Sequence, residues 1–180
     1  MKRIVILIVM LVFCIQLQAQ KYMTQNGVIS FFSRTPVEDI EAINNQVSSV
    51  INGENGEIAA VLLMKAFSFE KALMQEHFNE KYVESDKFPK AVFKGQIIDF
   101  DALQLNDVPQ KITIQGELTI HGVTNNITVD GTMSQKEAGM DLFSEFEVAV
   151  ADYDIKIPKT VRDNIAETVK VTIKFGLNKL

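Results

Sequence analysis

Residues 111–120 read KITIQGELTI, and this stretch alternates apolar with polar side chains along its length. One face of the extended chain is apolar and consists of Ile112, Ile114, Leu118 and Ile120. The other face carries the lysine, the threonines, the glutamine and the glutamate. Because successive side chains of a β-strand point to opposite faces, this period of two predicts a half-buried antiparallel strand.

The same period of two recurs on both sides of this strand. Further alternating stretches occupy residues 91–97, 126–133, 146–150 and 168–177. Turn signals separate the stretches, and the clearest is GENG at residues 53–56, between two long apolar runs. We count about eight strands in all. Closure into a barrel would remove the exposed edges of such long strands, so the sequence predicts an all-β, antiparallel, eight-stranded barrel.

One segment predicts a helix that crosses between two of these strands. It runs from about residue 68 to residue 82 and begins with a serine, a favourable N-cap. Apolar side chains recur along it at helical spacing, at Phe69, Leu73, Met74 and Phe78. The strand before it, residues 57–67, is apolar on both faces. We therefore expect the helix to cover or flank the barrel.

Composition and charge limit the classes of function. The chain has 180 residues, enough for one domain, and its formal net charge is −5. Binding to nucleic acid requires clustered Lys and Arg, which an acidic chain without a basic block does not supply. The single cysteine, Cys14, excludes an internal disulfide framework and a cysteine-built metal site.

The N-terminus is typical of a secretory signal peptide. Lys2 and Arg3 form a positive region, and Ile4 to Ile15 is an unbroken apolar run of twelve residues. A membrane span needs about 20 apolar residues, so an uncleaved anchor is the weaker interpretation. We expect cleavage after Ala19, which leaves residues 20–180 as one exported domain without a transmembrane segment.

Known catalytic and metal-binding motifs are absent from the sequence. The two histidines lie 44 positions apart, at 77 and 121, without a zinc-binding pattern. The chain has no nucleophile-elbow motif, P-loop or dinucleotide fingerprint. We therefore expect no enzyme activity, cofactor or metal. A lipid-modifying enzyme stays open as an alternative, with Asp152, Asp154 or His77 as acid or base.

Three segments of the sequence have the character of family motifs: SDKFPKAVF at residues 85–93, GELTIHGVT at 116–124, and DYDI at 152–155, followed by Pro158. They resemble, in this order, the passage from helix to strand, the hairpin and a segment near the C-terminus of the YceI-like family of exported bacterial proteins. The three occur in family order, and the resemblance extends over Tyr22 to Leu180.

The resemblance implies a lipocalin-like barrel whose lumen holds a polyisoprenoid or a similar lipid. It also implies a periplasmic or otherwise exported binding protein. The alternative from another class is a structural or stress-protective envelope protein, in which side chains fill the barrel. The oligomeric state, the physiological role and the identity of the lipid do not follow from the sequence.

The residues expected to face the lumen are almost wholly apolar. They come from the inward faces of the predicted strands and from the apolar face of the helix. If a lipid occupies the lumen, these side chains are its candidate contacts. They are Leu62, Met64, Phe69, Leu73, Met74, Phe78, Phe93, Ile97, Ile114, Leu118, Ile120, Ile127, Val129, Phe146, Val148, Val171 and Ile173.

Overall fold

The computed structural model describes residues 20–161 and 163–180, which form nine antiparallel strands within these ranges. The predicted signal peptide, residues 1–19, lies outside the described residues. The strands are β1 (Lys21–Arg34), β2 (Asp39–Asn52), β3 (Glu57–Leu63), β4 (Ser68–Phe69), β5 (Lys90–Ile97), β6 (Gln110–Ile120), β7 (Val123–Lys136), β8 (Gly139–Ala149) and β9 (Thr168–Lys179).

Eight of these described strands close into a barrel. Neighbours follow the order β1-β9-β8-β7-β6-β5-β3-β2, and β2 pairs back with β1, so each strand of the ring has two partners. The two-residue β4 adds to β2, with Ala42 opposite Phe69. Closure gives a hydrogen-bond partner to the backbone N–H and C=O groups that an open sheet would leave unpaired at its edges. The predicted eight-stranded antiparallel barrel is confirmed.

The helical segment is shorter than the predicted helix over residues 68–82. Helix α1 spans Ala72–His77 and continues into a π-helical turn, Phe78–Tyr82. Ser68 belongs to β4 instead of capping the helix, because its backbone pairs with β2 at Ile43. Strand pairing therefore overrides the local N-cap preference. Within the described part of the chain, no helix is long and apolar enough to cross a membrane.

The two ends of the barrel carry different connections. The end that we call lower has the β2–β3 and β7–β8 turns and the β5–β6 loop, residues 98–109. The upper end has the β1–β2 and β6–β7 turns and two longer connections. We call residues 64–89, which join β3 to β5 and carry α1, the roof segment. The first part of the β8–β9 connection, residues 150–161, is the cover segment.

Side chains pack the lower part of the barrel densely, and we call this part the filled half. Its inward residues are at most 6% exposed. The β5–β6 loop closes the end, since Phe100, Leu103 and Leu105 pack against this core. The filled half consists of Tyr22, Ile51, Ile97, Ile112, Met133, Met140 and Leu177.

Candidate functional site

A cavity of about 480 Å³ lies in the barrel above the filled half. This volume is within the range of about 300–1,000 Å³ that is typical of small-molecule sites. Its wall is apolar and includes side chains from opposite sides of the ring. We call this part of the barrel the cavity half, represented by Ile29, Ala60, Phe93, Leu118, Ile120, Val129, Phe146, Val171 and Ile173.

The inward side chains of the cavity half are less buried than those of the filled half. Leu118, Ile120 and Val129 point inward, yet each is only half-buried. On the same strands, Ile112 of β6 and Met133 of β7 are buried. The difference arises because the upper side chains face the cavity, whereas the lower ones belong to the buried core.

A pair of glycines shapes one side of the wall. Gly95 of β5 lies opposite Gly116 of β6 in the strand register. A Cβ atom would approach the Phe93 ring to 2.6 Å at Gly95 and to 2.8 Å at Gly116, closer than real Cβ contacts. The two glycines therefore leave room for the Phe93 ring to lie along the inner wall. A larger residue at either position would clash with this ring and also with a backbone carbonyl oxygen of the paired strand, that of Gln115 at Gly95 and that of Lys94 at Gly116.

Four phenylalanines attach the roof segment to the barrel. The Phe31 ring of β1 lies 5.3 Å from Phe67, 5.8 Å from Phe69 and 5.5 Å from Phe78, measured between centroids. Phe69 and Phe78 are 5.0 Å apart. Aromatic pairs at such separations stabilise by about 0.5–1.5 kcal/mol beyond their buried area. The cluster holds α1 over the cavity, which Met74 also lines.

The β8–β9 connection covers the other side of the cavity. Tyr153, Ile155, Ile157 and Val161 of the cover segment contribute apolar side chains to its lining. Beyond this segment, the Ser33 hydroxyl accepts a hydrogen bond of 3.0 Å from the backbone N–H of Ala166. This bond joins the β8–β9 connection to β1.

Polar side chains reach the cavity mainly from the β1–β2 turn and from α1 with its π-helical turn. Glu38, from the β1–β2 turn, lines the cavity and pairs with Lys71 at 2.7 Å. The Glu38 carboxylate raises the pKa of the Lys71 ammonium through a hydrogen bond and its charge. His77 and Tyr82 also line the cavity, and burial raises the pKa of the Tyr82 phenol. A polar region therefore borders an otherwise apolar cavity.

The structure brings most of the sequence-predicted lumen residues together around this one cavity. The residues that line it are Leu62, Met64, Phe69, Met74, Phe78, Phe93, Ile114, Leu118, Ile120, Ile127, Val129, Phe146, Val148, Val171 and Ile173. Their location agrees with the predicted inward face. Whether each contacts a ligand stays a prediction.

Two predicted lumen residues do not line the cavity. Leu73 is 60% exposed because the helix starts only at Ala72, and the shortened α1 turns this side chain away from the barrel. Ile97 does point inward, but it is completely buried in the filled half, below the cavity. We therefore remove both residues from the set of candidate ligand contacts.

Several lining residues were missed by the sequence analysis. Ile29 and Phe31 lie on β1, where register shifts between Thr24 and Ile29 interrupt the simple alternation. Gly27, at the centre of the irregularity, is the sequence signal that could have indicated a bulge. Ile155 and Ile157 lie in the cover segment outside any strand, where period-two analysis has no signal.

The chemistry of the site is that of apolar binding. Asp152 and Asp154, two of the candidate acids, have exposed side chains and do not belong to the cavity lining, whereas His77 does. Within residues 20–161 and 163–180, no group of three or more His, Cys, Asp or Glu side chains is placed to hold a metal ion. The cavity can shield an apolar chain from water and leave a polar group near Glu38 and His77.

Comparisons with known proteins agree with this architecture. The family model of the YceI-like domain matches residues 19–177. The fold is similar to a polyisoprenoid binding domain from Saccharophagus degradans, with a TM-score of 0.78, 14% identity, and coverage of 91% of this chain and 100% of that one. It is also similar to BcnA of Burkholderia cenocepacia, with a TM-score of 0.69, 15% identity, and coverage of 84% and 94%.

A third similar structure is the YceI protein of Campylobacter jejuni. Its TM-score is 0.58 at 15% identity, with coverage of 76% of this chain and 82% of that one. No curated protein matches the sequence significantly. At identities this low, the structural likeness establishes the fold alone.

Proposed function

Because the chain belongs to the YceI-like family, we propose that its barrel binds a long apolar or amphiphilic molecule, such as a polyisoprenoid lipid, without catalysis. The observation that carries this proposal is the cavity of about 480 Å³ with an apolar wall. The polyisoprenoid-binding function of the Saccharophagus degradans domain supports the choice of ligand class.

The energetics of apolar burial are sufficient for this role. Transfer of one methylene group from water to an apolar site contributes about 0.8 kcal/mol. A few isoprene units therefore offset the translational and rotational cost of association, which is about 4–15 kcal/mol. The half-buried side chains of the wall, such as Leu118 and Val171, supply the surface that the ligand would cover.

The cavity also bears on the alternatives. A structural protein with a filled barrel needs no apolar cavity above its core, and this chain has one. A lipid-modifying enzyme needs an acid or base at the reacting atoms. His77 is the one of the three candidates that lines the cavity, and we assign it no catalytic role because no side chain among residues 20–161 and 163–180 hydrogen-bonds its ring to orient it for proton transfer.

We extend the proposal to export. Cleavage of residues 1–19 after Ala19 would deliver the barrel, which begins at Lys21, to the periplasm or another compartment outside the cytoplasm. N-terminal sequencing of the protein from the envelope fraction should begin near Gln20. Recovery of the intact chain from Met1 in the membrane pellet would contradict export by cleavage.

The binding proposal is tested by the lipid that the protein carries. Wild-type protein, purified without detergent from the cells that produce it, is analysed by native mass spectrometry and organic extraction. We expect a bound lipid in wild type and its loss in Val129→Phe, because a ring at this position occupies the cavity. Thr128→Phe, on the exposed outer face of the same strand, is the matched control and should retain the lipid.

Two results would overturn the proposal. The first is wild-type protein without any bound lipid under these conditions. The second is equal lipid content in Val129→Phe and wild type, with both proteins folded by circular dichroism. Equal loss in both variants would place the lipid on the outer surface of β7 instead of in the cavity.

A further inference from the structure

His121 lies where three connections of the upper end meet. It belongs to the β6–β7 turn, and its side chain is only 9% exposed. Its Nε2 lies 3.0 Å from a carboxylate oxygen of Glu84 in the roof segment, and its Nδ1 lies 3.1 Å from the carbonyl oxygen of Tyr153 in the cover segment. The Phe88 ring packs edge-on against it at 4.5 Å.

Both ring nitrogens of His121 therefore contact hydrogen-bond acceptors. A carbonyl oxygen can only accept, and an ionised carboxylate can only accept. A neutral imidazole carries one N–H and can satisfy one of the two, whereas an imidazolium carries two and satisfies both. The observed pair of contacts fits the doubly protonated ring.

The backbone at this junction is also unusual. Glu84, His121 and Asp154 all have left-handed conformations, with φ of 43°, 50° and 54°. These are three of the four non-glycine residues with positive φ in the described part of the chain. Gly122 follows at φ 77°, and a Cβ atom there would lie 2.6 Å from the Phe88 ring. Clustered left-handed residues persist only where surrounding contacts hold them, and they often mark switch regions.

We propose that the contact between His121 and Glu84 is a proton-dependent clasp that holds the roof segment over the cavity and slows exchange of the bound lipid. The clasp rests on the proposed binding function. Glu84 is coupled to the helical part of the roof, since the backbone N–H of Val83 donates to Phe78 at 3.0 Å and that of Ser85 donates to Asn79 at 2.8 Å. Val83 itself is buried and lines the cavity.

Loss of the second proton breaks the contact with Glu84 rather than that with Tyr153. The Tyr153 carbonyl is part of the backbone of a buried residue that ends the 3-10 turn Val150–Tyr153, whereas the Glu84 side chain is 45% exposed and can rotate into water. The neutral ring then donates from Nδ1 to Tyr153, and its Nε2 lone pair faces the carboxylate. The clasp therefore holds at lower pH, where the ring carries both protons, and loosens when the pH rises and the ring loses one of them.

Other charged and titratable groups surround the clasp. Lys87 lies 4.0 Å from Glu84 and also stacks over Phe88. From the cover segment come Asp152 and Asp154, the latter paired with Lys156 at 3.6 Å. Burial raises the pKa of the Tyr153 phenol, which stays neutral across the relevant range.

The test uses N-phenyl-1-naphthylamine, an apolar fluorescent probe that stays uncharged between pH 5.5 and 7.5. Its release from the mature protein is followed by stopped-flow competition at the two pH values. We expect release to be roughly two- to fivefold slower at pH 5.5, the range that a partly exposed ion pair supports. In Glu84→Gln the ratio should fall to about one, because the amide can donate to Nε2 of the neutral ring.

Asp86→Asn is the matched control, since it removes a carboxylate from the same segment that pairs with Lys65 and not with His121. It should keep the wild-type ratio. A pH ratio that persists in Glu84→Gln, or that disappears in His77→Gln but not in Glu84→Gln, would overturn the clasp and assign the effect to another group.

Nitrogen chemical shifts of the two imidazoles test the clasp without any ligand. Both nitrogens of His121 should be protonated at pH 5.5, and Glu84→Gln should lower the pH at which the second proton is lost. A ring that is neutral at pH 5.5 would refute the clasp. If the probe fails to bind at either pH while the nitrogen shifts follow this expectation, the binding proposal is at fault and the clasp contact stands.

Discussion

The filled half and the cavity half are built from the same strands, yet they differ in how side chains use the interior. In the filled half, Tyr22 and Met133 are buried in the core and the β5–β6 loop closes the end. In the cavity half, smaller inward residues such as Ala60 and Val129 leave space between the walls. The alternation of apolar and polar residues decides which side chains point inward. Side-chain size and the length of the end connections decide whether the inward side chains fill the interior or leave a cavity.

The largest expected effect comes from a buried charge. Ile97→Asp places a carboxylate without a partner in the filled half, at a cost of several kcal/mol, which approaches the total stability of an ordinary domain. Leu118→Asp places the same group on the cavity wall, where water can reach it, and should cost clearly less. Urea unfolding of the two variants checks the difference. Equal loss of stability would contradict the division into halves.

Deletion of side-chain atoms sharpens the comparison. Ile51→Ala removes a fully buried side chain from the filled half and should destabilise by about 2–5 kcal/mol. Ile120→Ala removes the same atoms from the cavity wall and should cost less than about 2 kcal/mol, because those atoms already lack partners on one side. Denaturant midpoints at constant m-value give both numbers. A larger loss in Ile120→Ala would show that its surroundings are packed.

Adding side-chain atoms tests the same comparison from the opposite side, because an inserted ring needs free space. Ala42 of β2 is completely buried between Phe31 and Phe69, so Ala42→Phe should destabilise by about 1–3 kcal/mol or more through overpacking. Ala60 of the neighbouring β3 lines the cavity, and Ala60→Phe should change stability by less than about 1 kcal/mol. Thermal unfolding of Ala42→Phe and Ala60→Phe measures the two changes in stability. Similar losses of stability would mean that the cavity has no usable space at Ala60.

The smallest expected effect concerns the exposed pair that joins the upper turn to the roof segment. Glu38 raises the pKa of Lys71, so the pair stabilises the fold below the ordinary lysine pKa of about 10.5 and loses this contribution as the pH rises further. Lys71→Gln should lower the melting temperature slightly at pH 8 and not at pH 11.5. A large effect at pH 8 would mean that surface contacts, and not the phenylalanine cluster, hold the roof.

The barrel could be predicted from the sequence because its signals are local. Alternation in 111–120 and the GENG turn at 53–56 depend on neighbouring residues, and they fix strand faces and hairpins whatever the rest of the chain does. The inward residues of these strands, which line the cavity, could be predicted directly from this alternation. The YceI-like resemblance added the ligand class, which no local pattern contains.

The features that could not be predicted from the sequence depend on contacts between distant parts of the chain. Ser68 has the character of an N-cap, but β2 recruits it into a strand, and Leu73 consequently faces solvent. Ile97 continues the inward alternation of β5, and only the packing across the barrel distinguishes it from cavity-lining Phe93. The junction at His121 joins residues 84, 121 and 153, which no sequence period relates.

The central claim is that a lipid enters the cavity half and leaves the filled half undisturbed. Methyl NMR of protein labelled at isoleucine, leucine and valine, titrated with a soluble short-chain polyisoprenol, tests it directly. We expect large shifts for Leu118, Ile120 and Val171, with the methyl groups of Ile51 and Leu177 unchanged. Shifts confined to the filled half or to outward residues, or no shifts at saturating polyisoprenol, would contradict it.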